Sequence, residues 1–324
     1  MSEIEPEASA PEEPTETRAG SATRAGSATR AGFAALIGAP NAGKSTLLNQ
    51  IVGTKVSIVS RKVQTTRALV RGIALSGAVQ IVFVDTPGLF APKRRLDRAM
   101  VHSAWGGAAN ADAVCLLVDA RRGIDAEVEA ILPRLADIRR PRLLVLNKVD
   151  LVPRPKLLGL AADLSARLPF EHVFMVSALK GDGVADLTRT LAAMMPPSPW
   201  LYPEDQVADA PLRQLAAEIT REKIYERLHE ELPYESTVET VSWQDRPDGS
   251  VRIEQTIFVE RESQRKIVLG EGGQTIKAIG QSARRDIAEA AETKVHLFLF
   301  VKVRERWADD PERYREMGLE FPKG

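Results

Sequence analysis

One stretch of the sequence decides the fold, and it reads Gly38-Ala39-Pro40-Asn41-Ala42-Gly43-Lys44-Ser45. It matches the pattern G-x-x-x-x-G-K-[ST] completely, with an apolar run at 33–37 before it and a helical pattern at 46–51 after it. Between a strand and a helix, such glycines let backbone N–H groups surround a polyphosphate, and the helix N-terminus adds a favourable partial charge. We therefore expect Lys44 to reach the outer phosphates and Ser45 to bind Mg²⁺.

Length and composition indicate a globular protein of two domains. The chain has 324 residues, of which 44% are hydrophobic, and this excludes a wholly disordered chain. No uninterrupted apolar run approaches the ~18–20 residues that span a bilayer. The single cysteine, Cys115, cannot form an internal disulfide, and the start of the chain is rich in glutamate, whereas a secretion signal has a basic stretch and an apolar core.

Residues 1–31 are predicted to form a disordered low-complexity tail. Three nearly identical hexamers of the Thr-Arg-Ala-Gly type occupy 17–34, and their six-residue period matches neither a strand nor a helix face. The segment has too little apolar surface to offset the entropy of ordering it. The alternative is an arm that tethers an anionic partner.

From residue 32 to residue 195, short apolar runs alternate with helical patterns. This alternation predicts an α/β fold, with right-handed crossovers and a mostly parallel sheet covered by helices on both faces. The candidate strands are 33–37, 80–84, 113–118, 142–146 and 173–176, and the amphipathic stretches lie near 45–52, 95–109, 125–137, 155–168 and 184–195. The run 69–75 joins 80–84 as a hairpin, so we expect one antiparallel edge strand.

A smaller second domain is predicted after a proline-rich linker at 196–210. Four prolines between Pro196 and Pro203 exclude a continuous helix there. Helices, three strands and a glycine-rich turn then predict an α+β domain at 211–305. A C-terminal extension follows at 306–324, and its role is not readable from the sequence.

Three further motifs end strands of the first domain, and they are Asp85-Thr86-Pro87-Gly88, Asn147-Lys148-Val149-Asp150 and Ser177-Ala178-Leu179. Parallel strands bring their carboxyl ends to one crevice, so these motifs should meet the loop 38–45 there. We expect Asp85 to support a Mg²⁺ ion. Asp150 could accept hydrogen bonds from N1–H and the exocyclic amine of guanine, whereas adenine offers neither donor; the Ala178 backbone could contact the guanine O6.

Over residues 33–195, the four motifs in this order resemble those of the GTPase superfamily. The resemblance implies GTP and GDP as ligands, Mg²⁺ as cofactor, and hydrolysis of GTP. Thr66 is the candidate switch threonine that completes the Mg²⁺ site, with Thr65 as the alternative. Leu89 stands where Ras-like enzymes place the glutamine that orients water. Asn41 resembles a residue that helps to hold K⁺ beside the phosphates in several relatives; the alternative is that it only shapes the loop.

In the second domain, the stretch Gly270-Glu271-Gly272-Gly273 between two helices resembles the loop with which KH domains approach a nucleic-acid backbone. Together with the segment Gln64-Thr65-Thr66-Arg67 and the linker, it resembles the Era family: a TrmE–Era–Der-like GTPase domain followed by a type II KH domain. Glu271 departs from the lysine that is common at its position. Lys266, Lys277 and Arg284 are therefore the alternative contacts to phosphate.

This family resemblance implies a monomer that binds the 3′ end of 16S ribosomal RNA and assists assembly of the 30S subunit. It also implies a cytoplasmic protein, with peripheral association at the inner face of the cell membrane as an option. The competing interpretation is a membrane-linked or signalling GTPase whose second domain binds protein rather than RNA.

The candidate residues can be grouped by their predicted roles. The candidate catalytic residues are Lys44, Asn41, Thr66 and Gly88. The candidate nucleotide-binding residues are Gly38, Ala39, Pro40, Asn41, Ala42, Gly43, Lys44, Ser45, Thr46, Asp85, Asn147, Lys148, Asp150, Ser177, Ala178 and Leu179. The candidate Mg²⁺ ligands are Ser45, Thr66 and Asp85, and the candidate RNA contacts are Gly270, Glu271, Gly272, Gly273, Lys266, Lys277 and Arg284.

The formal net charge of zero conceals a segregation of charge along the chain. Residues 1–30 sum to −3, 31–205 to +7 and 206–324 to −4, while 261–306, around the glycine loop, hold ten basic and six acidic groups. Net charge alone argues against a nucleic-acid binder. The local excess instead predicts that any RNA contact is confined to a small patch with a modest salt dependence.

Overall fold

The computed structural model describes residues 29–60, 62, 66–67, 69–92, 94–228 and 232–322. The predicted tail lies outside the described residues up to position 28, as does the alternative switch residue Thr65. The first domain is an α/β sandwich built on a six-stranded sheet with the order β2-β3-β1-β4-β5-β6. Its strands are β1 (Arg30–Gly38), β2 (Val70–Ser76), β3 (Val79–Asp85), β4 (Ala113–Asp119), β5 (Arg142–Asn147) and β6 (His172–Val176).

Alternate residues of these strands supply two cores, one on each face of the sheet. Leu36, Cys115 and Leu143 face one side, where α1 (Lys44–Val52) and α5 (Val184–Met194) pack. Their chain neighbours Ile37, Leu116 and Leu144 face the other side, which is covered by α2 (Arg95–Asn110), α3 (Ala126–Ala136) and α4 (Arg154–Arg167). All sheet pairings are parallel except that of β2 with β3. The predicted parallel sheet with one antiparallel edge strand is confirmed.

The start of β1 corrects the predicted end of the tail. Arg30 and Ala31, assigned to the tail, pair with Val79 and Gln80 of β3, and Ala31 is buried. The Ala31 N–H also donates to the Pro196 carbonyl at 3.2 Å. These contacts are made by the backbone, so the polar and small side chains gave no apolar pattern that could have predicted them.

The proline-rich segment is packed against the first domain. The Trp200 indole donates to the Ala78 carbonyl at 3.0 Å, and Gln80 Oε1 accepts from the N–H groups of Leu201 and Tyr202 at 2.8 and 3.0 Å. Farther along, the N–H of Ile73 in the edge strand β2 donates to the Val207 carbonyl at 2.9 Å. The segment therefore follows the outer edge of the sheet.

The second domain packs helices on one face of a three-stranded sheet. The order along the chain is α6 (Leu212–Arg227), β7 (Ser236–Asp245), β8 (Val251–Val259), α7 (Glu262–Leu269), α8 (Gln274–Ala290) and β9 (Val295–Val303). Strand β8 is central, antiparallel to β7 and parallel to β9. Ile224 of α6, Val268 of α7 and Ile279 of α8 pack on Ile257 of β8 to form its core.

The C-terminal segment, here residues 306–322, returns to the first domain. It contains a short turn of 3₁₀ helix (Trp307–Asp309) and α9 (Pro311–Glu316). Trp307, Tyr314 and Leu319 are buried against Leu96 and Met100 of α2. Among the described residues, no helix is long and apolar enough to cross a membrane.

Candidate functional site

The four motifs meet at the carboxyl edge of the first sheet. The loop 38–45 joins β1 to α1, Asp85 ends β3, Asn147 ends β5 and Ser177 follows β6. Ser45 Oγ donates to Asp85 Oδ2 at 2.6 Å, which joins the first motif to the second. A cleft of about 930 Å³ lies beside the loop, with Lys148 on its wall and Tyr225 of α6 lining it from the second domain. This volume is within the range of small-molecule sites.

Asn147 holds the nucleotide loop against the two guanine motifs. Its Nδ2 donates to the Ala42 carbonyl at 2.8 Å, and its Oδ1 accepts from the N–H groups of Lys148 and Ala178 at 2.8 and 3.0 Å. Gly43 has φ +99°, and a Cβ there would lie 2.1 Å from Asn147 Nδ2, so only glycine fits this contact. Asn147 therefore stabilises the nucleotide loop, and its own contact with the nucleotide stays a prediction.

The Ala178 backbone differs from its predicted arrangement. We expected its N–H to face the guanine O6, but here it is bonded to Asn147. Contact with O6 therefore requires this N–H to be shared or released, and it stays a prediction. Ser177 is buried and Leu179 is 78% exposed, and their contact with the nucleotide stays a prediction.

Asp150 and Lys148 belong to one motif, and Lys148 lines the cleft. Asp150 lies in a turn of 3₁₀ helix (Val149–Leu151), with its Oδ2 3.8 Å from the Nζ of Lys180. Lys148 Nζ donates to the Asn41 carbonyl and to Asp119 Oδ2, both at 2.6 Å. We did not predict Asp119, although its place at the carboxyl end of β4 is the signal that singled out Asp85 and Asn147.

Lys44, which is predicted to bind the outer phosphates, is buried beneath the loop 38–45. Its Nζ donates to the carbonyls of Gly38 and Ala39 at 3.2 and 3.1 Å. Burial lowers the pKa of Lys44 to about 8, against the opposing influence of Asp85 and Glu127. The ammonium has three N–H donors, so it can contact a phosphate while it stays bonded to these two carbonyls.

Ser45, Thr66 and Asp85 lie together and fit a magnesium ion. Thr66 Oγ1 is 3.1 Å from Ser45 Oγ, and Asp85 Oδ2 accepts from the hydroxyls of Ser45 and Ser57 at 2.6 and 2.9 Å. Asp85 Oδ1 is buried, and no described residue hydrogen-bonds to it. Burial raises the pKa of Asp85, an effect that Lys44 and the two hydroxyls oppose. A hard cation would give this oxygen the partner that it lacks.

Of the described residues that follow the phosphate motifs, Gly88 and Leu89 offer no side chain that could act as a base. Leu89 is buried in the core below α2, and its N–H donates to the Gly38 carbonyl at 3.0 Å. Gly88 lies against Pro40, in a small pocket of about 50 Å³ that Lys44, Ser45 and Thr66 also line. Asn41 is exposed there, with φ +62°. The sequence correctly indicated that the residue after Gly88 cannot orient water.

The predicted RNA loop connects α7 to α8. Gly270 has φ +73°, and a Cβ there would lie 2.2 Å from Thr275 Oγ1, so the turn requires glycine. The Glu271 side chain is exposed, as are Lys266 on α7 and Lys277 and Arg284 on α8. Within the part of the chain that the structure describes, these three cations form no ion pair with a carboxylate.

Two family models match the chain. The model described as 50S ribosome-binding GTPase matches residues 33–148, and the model described as KH domain matches residues 231–308. Together they cover the nucleotide loop, the motif at 85–88, the first two residues of the motif at 147–150 and the glycine loop.

Two relatives that match most of the chain are named GTPase Era. GTPase Era of Bradyrhizobium sp. (strain BTAi1) is 68% identical over 289 residues, which cover 89% of this chain and 94% of that protein. GTPase Era of Brucella suis biovar 1 is 66% identical over 288 residues, covering 89% and 93%.

Two solved structures of Era superpose on the chain with a TM-score of 0.84 at 36% identity, covering 90% of this chain and 99% of each. One is an Aquifex aeolicus Era variant bound to GDP.AlF4-, and the other is Era in complex with MgGDPNP and nucleotides 1506-1542 of 16S ribosomal RNA. The chain therefore belongs to the GTPase Era family, and it is a GTPase built from a P-loop domain and a KH domain.

Proposed function

We propose that GTP binding and hydrolysis in the first domain control the binding of the 3′ end of 16S ribosomal RNA to the second domain, and that this cycle assists assembly of the 30S subunit in the cytoplasm. The observation that carries the proposal is the likeness to Era in complex with that RNA, which extends over 90% of the chain. The boundaries proposed for the two domains are those predicted above, with β1 extended to residue 30.

In the nucleotide site, each residue has a proposed role that follows from its place. Lys44 binds the outer phosphates with its third N–H donor, while the other two stay on the loop carbonyls, and the Gly88 N–H contacts the γ-phosphate. Ser45 and Thr66 hold Mg²⁺, while Asp85 supports it through its buried carboxylate. When bound, the metal neutralises charge that develops on the phosphate oxygens.

Asn41 is proposed to help hold K⁺ beside the phosphates, because it is exposed at the rim of the cleft and Leu89 supplies no polar group. Replacing K⁺ by Na⁺ at constant ionic strength is therefore expected to lower turnover, measured as phosphate release. In an Asn41→Ala variant the two salts should give equal rates. Equal rates in the unaltered protein would contradict a K⁺ site.

In the second domain, the loop 270–273 is proposed to receive the RNA backbone, with Lys266, Lys277 and Arg284 as its cations. Lys277 and Arg284 are two turns apart on α8, which places them on the same side of that helix. The test is fluorescence anisotropy of labelled RNA from the 16S 3′ end with the full chain, in GDPNP and in GDP. Binding no stronger than to a scrambled RNA in both states would overturn the proposal and favour a protein or membrane partner.

Glu271 is expected to weaken this contact, because a carboxylate beside a phosphate is repelled. Glu271→Lys should tighten RNA binding and steepen its salt dependence, by about 0.7 in the log–log slope for one added contact to single-stranded RNA. Glu289→Lys is the matched control, because it makes the same change of charge at the far end of α8. An unchanged slope in Glu271→Lys would place the RNA backbone away from this loop.

A further inference from the structure

Two consecutive residues of the switch segment point into different domains. Thr66 lies in the nucleotide site, with its Oγ1 3.1 Å from Ser45 Oγ. Arg67 extends into the second domain, where its side chain is 95% buried, with a relative exposure of 5%. A displacement of Arg67 therefore moves the backbone that carries Thr66.

The guanidinium of Arg67 sits in a socket formed by Tyr225, Pro233, Tyr234, Ser236 and Trp307. It donates to the carbonyls of Ser236, Pro233 and Tyr234 at 2.9, 3.2 and 3.0 Å and to the Tyr225 hydroxyl at 3.1 Å. Its Cζ lies 5.4 Å from the centre of the Trp307 ring. Several planar donors and a stacking face are used at once, which lysine cannot reproduce.

Burying the Arg67 guanidinium costs free energy, because the charge loses its contact with water. Desolvation lowers the pKa of Arg67, and the acceptors bonded to it are uncharged oxygens rather than carboxylates. A buried cation is tolerated when its donors are satisfied, as they are here. In return, these contacts fix the position of Arg67 and of the backbone beside it.

The C-terminal segment closes the socket and also contacts the helix that follows Gly88. The Trp307 indole N–H donates to the Glu235 carbonyl at 2.9 Å, beside the carbonyls that receive Arg67. The same ring packs in one cluster with Leu96 and Met100 of α2. Trp307 thus contacts both the Arg67 side chain and the helix after the second phosphate motif.

The second domain also holds the chain ahead of the switch threonine. Glu222 of α6 is buried and accepts from the Val59 N–H at 2.7 Å and from Lys55 Nζ at 2.5 Å. Ile58 is packed in the cluster that contains Ile219 of α6. The second domain therefore contacts the chain before Thr66, at Lys55, Ile58 and Val59, and after it, at Arg67.

We propose that Arg67 is a positioning residue for GTP hydrolysis, and that its socket in the KH domain and the C-terminal segment holds the Thr66 hydroxyl where the γ-phosphate and its metal are bound. The proposal rests on the role proposed above for Thr66. The second domain would then contribute to GTP hydrolysis, because the contact of Thr66 with Ser45 and the contact of Arg67 with Ser236 are present together in this structure.

The test compares the full chain with Arg67→Lys, using fluorescent GDPNP and GDP. Thr66 would act only on the triphosphate state, so GDPNP affinity should fall about tenfold and kcat by about 10–100-fold, while GDP affinity changes less than about twofold. The Mg²⁺ concentration that slows GDPNP release should rise. An equal loss for both nucleotides, or no loss, would overturn the proposal.

Further variants separate positioning from folding and from the role of Thr66. Tyr225→Phe removes the hydrogen bond from Arg67 to the tyrosine hydroxyl, and Trp307→Phe removes the one from the indole to the Glu235 carbonyl. Each should lower GDPNP affinity, by less than Arg67→Lys does. Arg71→Ala is the matched control, because Arg71 forms an exposed pair with Asp209 and should leave both affinities unchanged. Thr66→Ala must show the selective loss of GDPNP; if it does not, the role of Thr66 is wrong, whereas a loss there but not in Arg67→Lys refutes only the role of Arg67.

Discussion

Asp150→Asn is expected to lower GTP affinity by about 100-fold or more, because a site built around two guanine donors loses one acceptor and gains a donor facing the exocyclic amine. The same change should raise affinity for xanthosine triphosphate. Xanthine presents a carbonyl where guanine has the amine, so the asparagine amide can donate to it while its oxygen accepts from N1–H. Isothermal titration calorimetry with both nucleotides measures the exchange.

The control for this prediction is Asp163→Asn. Asp163 is exposed on α4, so its replacement by asparagine makes the same change of charge away from the cleft. It should leave both affinities as they are. A loss of GTP binding in Asp150→Asn without any gain for xanthosine triphosphate would show that Asp150 stabilises the segment after β6 through Lys180 and does not bind the base.

Gly272→Asp is expected to reduce RNA affinity by about 10–100-fold while leaving GTP hydrolysis unchanged. Gly272 has φ +57° and ψ +19°, a left-handed conformation that aspartate tolerates better than most residues, and nothing lies within 4 Å of a Cβ placed there. The fold should therefore persist while a second carboxylate joins Glu271 where a phosphate is proposed to approach. Anisotropy with the 16S 3′-end RNA measures the loss.

Gly272→Asn separates charge from bulk, because it has the same shape without the charge. It should bind RNA with an affinity between those of Gly272→Asp and the unaltered chain, and the deficit of the aspartate variant should shrink as salt is raised. Equal affinities for the two variants at all salt concentrations would indicate steric obstruction alone. Unchanged RNA binding in both would remove the loop from the RNA contact.

Local patterns predicted the sheet and the places where its strands end. The alternation of apolar runs with helical patterns was sufficient to predict the fold class, because the spacing of apolar residues within a short stretch indicates a strand or a helix. The positions of the loop 38–45, Asp85, Asn147 and Asp150 followed from the rule that parallel strands meet at one edge. These are statements about topology, and short stretches of sequence determine them.

Contacts between distant backbone groups could not be predicted in this way. The Arg67 side chain meets the Ser236 carbonyl 169 residues later, and a carbonyl oxygen has no residue-specific signature. The bond between Asn147 and the Ala178 N–H is hidden for the same reason. Trp307 showed no periodicity in the sequence because it packs in a short turn, so its place beside α2 follows from the tertiary fold alone.

The proline-rich segment has a further consequence for the first domain. Strand β2 is at the outer edge of the sheet, where unpaired N–H and C=O groups form a template for edge-to-edge association with other chains. The segment covers part of that edge, pairing Ala208 with Gly72 and accepting the Ile73 N–H at Val207. The Asp209 N–H also donates to the Arg71 carbonyl at 3.2 Å, so the segment that links the two domains occupies backbone groups of β2 that another chain could otherwise pair with.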